Sequence, residues 1–233
     1  MTSVVATAAT QPFFSALGPS STSRLVEISE VVVCPRGAVL FEAGDPARDL
    51  FLVVSGKVKL TRPNPVTTPS HRESLLWLMG PGDMFGELSL VDGGTRSTTA
   101  TTITPASLLR VPGSGLKELV ETEHDVALAL LGRLSERLRR SDNSTAHFVV
   151  GGVPSRLAFI LLDLAERFGR MDPDTGCLIV THDLTQQELA QAVGSSRETV
   201  SKALAEFTQR GWIRTSPKVV EVRSLKGLRG LAG

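Results

Sequence analysis

The chain has 233 residues, 41% of them hydrophobic, and a formal charge of +1 at neutral pH, so it can bury a substantial core and is long enough for two small domains. Its cysteines, Cys34 and Cys177, lie far apart without a Cys-x-x-Cys motif, and histidines 71, 124, 147 and 182 lack ligand spacing, which argues against a disulfide framework, a zinc site or an iron–sulfur cluster. No basic-then-apolar leader opens the chain and no run approaches ~20 apolar residues, so a soluble, cytoplasmic protein without a membrane partner is expected.

Residues 1–10 read as a tail. The next hundred read as β structure: Val31-Val-Val33, Val39-Leu-Phe41, Leu50-Phe-Leu-Val-Val54, Val58-Lys-Leu60, Ser74 to Met79, Ser97 to Thr104 and Ala106 to Val111 are short and rich in apolar or β-branched residues. Turn signals separate them at Arg36-Gly37, Ala43-Gly44-Asp45, Ser55-Gly56-Lys57, Pro63 to Pro69 and Gly80-Pro-Gly-Asp83. Many short strands at regular spacing predict a small barrel or roll.

Inside this region Phe85-Gly-Glu-Leu-Ser-Leu90 and Asp92-Gly-Gly-Thr-Arg-Ser97 form a short apolar helical turn, a glycine loop and an arginine. Gly86 lets a ligand approach the backbone, the amides of the turn formed by Glu87, Leu88 and Ser89 can cradle an anion, Arg96 can neutralise it, and Glu87 can accept from a sugar hydroxyl. A plain turn carrying solvated charges is the competing reading.

One long helix is predicted from about Ser114 to Val150. Ala127, Leu131, Leu134, Leu138, Ser141, Thr145 and Phe148 follow a 4,3 spacing, the seam of a coiled coil, with Arg133, Glu136, Arg137, Arg139 and Arg140 as exposed flanking charges. The alternative is a helix packed on its own domain. A narrow seam ending in polar residues favours a parallel homodimer. Gly151-Gly-Val-Pro154 then reads as a hinge, and Leu157, Ile160, Leu161, Leu164 and Phe168 as the core face of the next helix.

Residues 183–204 spell two short helices about a glycine turn, a helix-turn-helix. Thr185 and Glu188 have capping-box spacing at the first helix, Ser195 and Glu198 repeat it at the second, and Gly194 makes the turn. Leu189, Ala190 and Val193 face inward, as do Val200, Leu204 and Phe207. Arg197, Glu198, Thr199, Ser201 and Lys202 are left at the exposed start of the second helix, where Arg or Lys can read guanine and Glu can accept from cytosine. Taken singly, Glu198 also fits a cap or an i,i+4 partner of Lys202, and Arg197 a solvated charge. Gly211-Trp-Ile-Arg214 and Lys218-Val-Val-Glu-Val222 predict a two-stranded wing. From Thr181 onward eight Lys or Arg face five acids, so the basic surplus sits with this double-stranded DNA-binding module.

No nucleophile elbow, paired acid and base or metal constellation appears, and Glu121-Thr-Glu-His-Asp125 reads as a solvated segment, so no enzyme is expected.

Phe85-Gly-Glu-Leu-Ser-Leu90 with Arg96-Ser97, the long helix, Val153-Pro-Ser-Arg156 and Gly194-Ser-Ser-Arg-Glu-Thr-Val200 resemble the cyclic-AMP receptor protein and FNR family of bacterial transcription regulators, from about Phe13 to Val222. The resemblance implies an α+β chain: a cyclic-nucleotide-binding, jelly-roll-like β-roll at 11–113, a dimerisation helix at 114–150 and a winged helix-turn-helix at 151–233. It implies cyclic AMP as allosteric ligand, with Gly86 and Glu87 on the ribose, Leu88 and Ser89 in the same turn, Arg96 and Ser97 on the cyclic phosphate, and Ser141 and Asp142 on the adenine, one of them from a partner subunit. Gln186, Ser196, Arg197, Glu198, Thr199 and Lys202 would contact DNA, in an operator similar to a TGTGA/TCACA palindrome, and RNA polymerase is an expected partner. The acidic Asp142, where small neutral polar residues are usual, can accept from the adenine N6 amino group and is expected to favour cyclic AMP over cyclic GMP; the competing reading is that it points to solvent and pairs with Arg139 or another nearby arginine. Lys202, where arginine is common, exchanges a bidentate fork for a point charge. A regulator of the same fold that binds DNA without cyclic AMP, or senses another ligand, shares every feature except a working pocket.

Overall fold

The computed structural model describes residues 7, 10–64 and 73–232. Residues 65–69 of the expected proline-rich turn lie outside the described residues. The chain packs as two compact units, one reaching Arg62 and taking in Leu76–Leu138, the other holding the chain from Arg139 onward.

The first unit carries two antiparallel sheets. One orders β1 (Glu30–Cys34), β8 (Ala106–Pro112), β3 (Asp49–Ser55) and β6 (Met84–Phe85); the other orders β2 (Val39–Phe41), β7 (Thr99–Thr102), β4 (Val58–Pro63) and β5 (Glu73–Met79). The uninterrupted apolar run Leu50–Val54 explains why β3 is central, because a strand covered on both faces needs apolar residues at consecutive positions. Phe51 and Val53 join Phe41, Val58, Leu60, Phe85, Ala100 and Leu108 in one core. Leu50, Leu52 and Val54 join Leu109, Val111 and helical residues in the other. Phe51 stacks on Phe85 with ring centres 5.4 Å apart.

The expected strands are present, with the 97–104 segment shortened to Thr99–Thr102. An unanticipated N-terminal layer covers the helical face of β3: Phe13 and Phe14, in and beside a 3-10 turn (Phe14–Ala16), are buried together with Leu25 of α1 (Pro19–Ile28). A second short helix, α2 (Leu88–Val91), sits on the 85–97 segment as the apolar turn anticipated there.

The single helix expected from Ser114 to Val150 is instead two, α3 (Gly113–Thr122) and α4 (His124–Val150), broken at Glu123, whose backbone is extended. In the segment at the break Glu121, Thr122 and His124 are exposed, as expected of a solvated stretch, but Glu123 and Asp125 are pinned. Asp125 accepts from the Gly18 amide and the Ser21 hydroxyl, both at 2.6 Å, and Glu123 accepts from Arg24 at 2.6 Å. The Ser21 bond, then the Gly18 amide, hold the Asp125 carboxyl below its ordinary pKa. Val126, Ala129 and Leu130 then press the start of α4 into the core, while Leu128, Leu131 and Leu138 remain more than half exposed. Leu131 and Leu138 are seam positions, and Leu128 widens the uncovered strip. Phe148, assigned to the same seam, lies under the Arg156 guanidinium, 5.2 Å from its ring centre.

In the second unit, α5 (Val153–Phe168) buries Leu157, Ala158, Leu161, Leu164 and Ala165. Ile160 and Phe168 are only half-buried, so the two alanines take part of the core face expected of them. This helix packs with α6 (Gln186–Val193), α7 (Arg197–Gln209) and an unanticipated α8 (Leu225–Ala232). The wing is larger than two strands: β11 (Ile213–Ser216) and β12 (Val219–Val222) continue into β10 (Leu178–Thr181) and β9 (Gly169–Met171) as one four-stranded antiparallel sheet. Among the described residues no helix is long and apolar enough to cross a membrane.

Candidate nucleotide cradle and DNA interface

The cradle begins where β6 ends. Gly86 has φ +87, and a Cβ built there would lie 2.6 Å from Arg96 Nη1, so both the backbone and the neighbouring guanidinium require glycine. Arg96 is 4% exposed. Its Nη1 donates to the Gly86 carbonyl at 2.8 Å, its Nη2 to the Asp49 carbonyl at 2.6 Å, and its guanidinium lies over the Phe41 ring at 4.2 Å. Burial pulls its pKa below the ordinary arginine value, against the opposing charges of Asp49, Glu87 and Asp45. Glu87 is 2% exposed and takes Arg137 Nη1 on Oε1 at 2.6 Å.

Each of these buried charges has one polar atom with no partner among the described residues, Nε of Arg96 and Oε2 of Glu87. Gln11 Oε1, Arg156 Nε and Gln191 Oε1 are likewise buried without a partner among the described residues; Glu87 and Arg96 differ in being opposite charges of one short segment, about the Gly86 turn. A donor on a cation and an acceptor on a carboxylate suit a ligand carrying both an anionic group and a hydroxyl. The remaining residues of the segment divide. The Ser89 hydroxyl donates to the Thr95 carbonyl at 2.8 Å and so braces the loop, whereas Leu88 and Ser97 are exposed.

Arg137 is the site residue that sequence reading missed. Assigned there as a flanking surface charge, it is turned inward, with only 22% of its side chain exposed. The available signal was helical spacing: 137 follows buried Val126 and Leu130 at intervals of eleven and seven, on the face of α4 that packs against the roll. In the second unit Ser141 is half-buried and Asp142 exposed.

The DNA-binding half is built from caps. Thr185 Oγ1 accepts from the Glu188 amide at 3.2 Å and Glu188 Oε2 from the Thr185 amide at 2.8 Å, the reciprocal capping box read from the sequence. Gly194 closes α6 in the left-handed region, at φ 66 and ψ 46. At the second helix the expected box of Ser195 and Glu198 is not formed. Ser196 is the cap: its hydroxyl accepts from the Thr199 amide at 3.1 Å, which puts Thr199 where a box would need Glu or Gln. The left-handed glycine and one extra residue are used before the helix starts, moving the cap by one position. Ser196→Ala is therefore expected to lower stability by about 1 kcal/mol, and Ser195→Ala by much less, in thermal denaturation of the two variants.

Leu189, Ala190, Val193, Val200, Ala203, Leu204 and Phe207 are buried. Gln186, Arg197, Glu198, Thr199 and Lys202 are exposed, at the starts of α6 and α7. Lys202 Nζ and Glu198 Oε1 are 3.0 Å apart, with more than three quarters of both side chains exposed, so solvent screens a pair that DNA can readily part. Asp183 and Lys218 take positive φ without being glycine, and the Lys218 carbonyl accepts from the amides of His182 and Asp183, tying the wing hairpin to the entry of α6.

A roll with a charged, incompletely satisfied cradle, joined to a winged helix-turn-helix, defines a ligand-responsive DNA-binding regulator. Residues 31–123 match the family described as "Cyclic nucleotide-binding domain", and residues 155–231 the "Crp-like helix-turn-helix domain". The chain is 45% identical over 207 residues to the "CRP-like cAMP-activated global transcriptional regulator" of Mycobacterium tuberculosis, covering 89% of this chain and 90% of the relative. It is 33% identical to the "Cyclic AMP receptor protein" of Thermus thermophilus, over 95% and 96% of the two chains. The solved structure of FixK2 from Bradyrhizobium japonicum shares the fold, at a TM-score of 0.78 with 20% identity over 88% of this chain and 98% of that one. The chain belongs to the CRP/FNR family of transcriptional regulators.

Proposed function

We propose that this protein is a cyclic-AMP-responsive transcriptional regulator that acts as a homodimer on near-palindromic operators. The observation that carries the reading is the pair of buried opposite charges, Glu87 and Arg96, each retaining one unpartnered polar atom. Glu87, on the Gly86 turn, would take the ribose 2′-hydroxyl; Arg96, with Ser97, would take the cyclic phosphate; Leu88 and Ser89 would shape the turn. When bound, the nucleotide supplies a negative charge and a hydroxyl donor, the two complements those atoms need. Ser141 and Asp142 are the proposed base-contacting residues. The similarity to a cAMP-activated transcriptional regulator and to a cyclic AMP receptor protein supports this choice of ligand.

Leu128, Leu131 and Leu138, large apolar side chains left in water, support a partner copy along α4. Two-fold pairing would present two α7 helices to successive major grooves, about 34–36 Å apart. Gln186, Ser196, Arg197, Glu198, Thr199 and Lys202 form the proposed DNA contact, with Arg197, Glu198 and Lys202 on base edges. RNA polymerase is the proposed further partner, in the cytoplasm.

Linkage provides the test. If cyclic AMP tightens operator binding by some factor, operator must tighten cyclic AMP binding by the same factor. Fluorescence anisotropy with labelled operator, with and without saturating cyclic AMP, paired with calorimetry on free and DNA-bound protein, should return equal factors. Equal operator affinity with and without the nucleotide would make the protein a constitutive binder or a sensor of another ligand.

A further inference from the structure

Trp77 lies in β5, half-buried and packed against the core between the sheets, with its ring centre 5.3 Å from the Arg137 guanidinium. Arg137 in turn donates to Glu87 Oε1 at 2.6 Å, leaving Oε2 as the buried oxygen without a partner among the described residues. We propose that Trp77 is a positioning residue for nucleotide recognition, holding Arg137 on one oxygen of Glu87 so that the other is presented to the ribose hydroxyl.

The physical reasons are ordered along that chain of contacts. A carboxylate at 2% exposure must be held in one orientation to offer a chosen oxygen. Arginine has a long side chain with many rotamers, and a single hydrogen bond leaves several of them open. An indole face within about 6 Å of a guanidinium attracts it electrostatically, and tryptophan is the strongest of the aromatic rings in this respect. The ring is itself fixed by the core behind it, so the order passes from the core through Trp77 and Arg137 to Glu87. Leucine would fill much of the same space and offer no π face.

This inference rests on the proposed ribose role of Glu87, and the experiment separates the two. Wild type, Trp77→Leu and Trp77→Phe are titrated calorimetrically with cyclic AMP and with 2′-deoxy cyclic AMP. Trp77→Leu is expected to weaken cyclic AMP binding about 2–5-fold while leaving the deoxy nucleotide nearly unaffected, and Trp77→Phe to recover part of the loss. An equal loss on both nucleotides, or none on either, overturns the positioning role. Failure of wild type to bind either nucleotide sinks the ligand reading itself. A second measurement does not depend on the leucine variant folding. In a Trp212→Phe background Trp77 is the sole indole of the chain's two, and its emission is expected to change on adding Arg137→Met and on saturation with cyclic AMP. Emission unmoved by both would equally overturn the proposal.

Discussion

Arg96→Leu is expected to weaken cyclic AMP binding by about 2–5 kcal/mol, a loss of roughly thirty-fold to several thousand-fold, because a buried anionic group would be left facing no charge. The structure adds a second consequence. Arg96 also donates to the carbonyls of Gly86 and Asp49, and leucine leaves both without that donor in a buried setting, so the roll should lose stability as well, by about 1–3 kcal/mol for each carbonyl left unsatisfied. The two effects are separated by measuring thermal unfolding of the ligand-free proteins beside calorimetric affinity. Arg96→Lys retains the charge without the planar fork and should fall between wild type and leucine in affinity. A folded Arg96→Leu protein with wild-type affinity would remove the phosphate assignment.

Arg197→Ala should cost about 1–3 kcal/mol on the cognate operator and relax base preference at one position in each half-site. The side chain is the first residue of α7, exposed next to the Ser196 cap, and its truncation leaves the buried set Val200, Ala203, Leu204 and Phe207 untouched. Stability is therefore expected to stay near wild type, so lost affinity reports recognition. Binding to a panel of single-base operator variants at several salt concentrations decides the role. A uniform loss on every sequence, with the slope of log affinity against log salt falling by about one, would make Arg197 a phosphate clamp instead of a base reader.

Some features are legible in the amino-acid sequence because the interactions responsible are local. Thr185 and Glu188 meet across three residues of one helix, and Gly194 answers a backbone requirement of its own turn. The run Leu50–Val54 marks a buried strand, since five apolar residues in succession suit a strand with both faces covered. Gly86, Glu87 and Arg96 share one short segment, and the cradle has each of them in or beside it.

Other features depend on partners distant in sequence. Glu123 and Asp125 look like solvated acids until Gly18, Ser21 and Arg24, about a hundred positions away, engage them and the helix breaks between α3 and α4. The N-terminal layer escapes notice because α1 shows little apolar periodicity, burying only Ser21 and Leu25. The expected cap of α7 is off by one residue because Ser195 and Ser196 are both serines, and only the path of the chain out of the Gly194 turn selects between them.

By itself the sequence determined the family, the order of roll, helix and winged helix-turn-helix, and the exposure of Arg197, Glu198, Thr199 and Lys202 at the start of α7, since each is written in motifs and periodicities of a few residues. Ser201, expected to be exposed with them, is half-buried. Only the tertiary structure decided the chemistry of the cradle. It turned Arg137 from a surface charge into the partner of Glu87 and set Trp77 beside it. It also left Oε2 of Glu87 and Nε of Arg96 unsatisfied, because a buried charge is defined by what surrounds it in space, and those neighbours come from strands and a helix about fifty residues away in sequence.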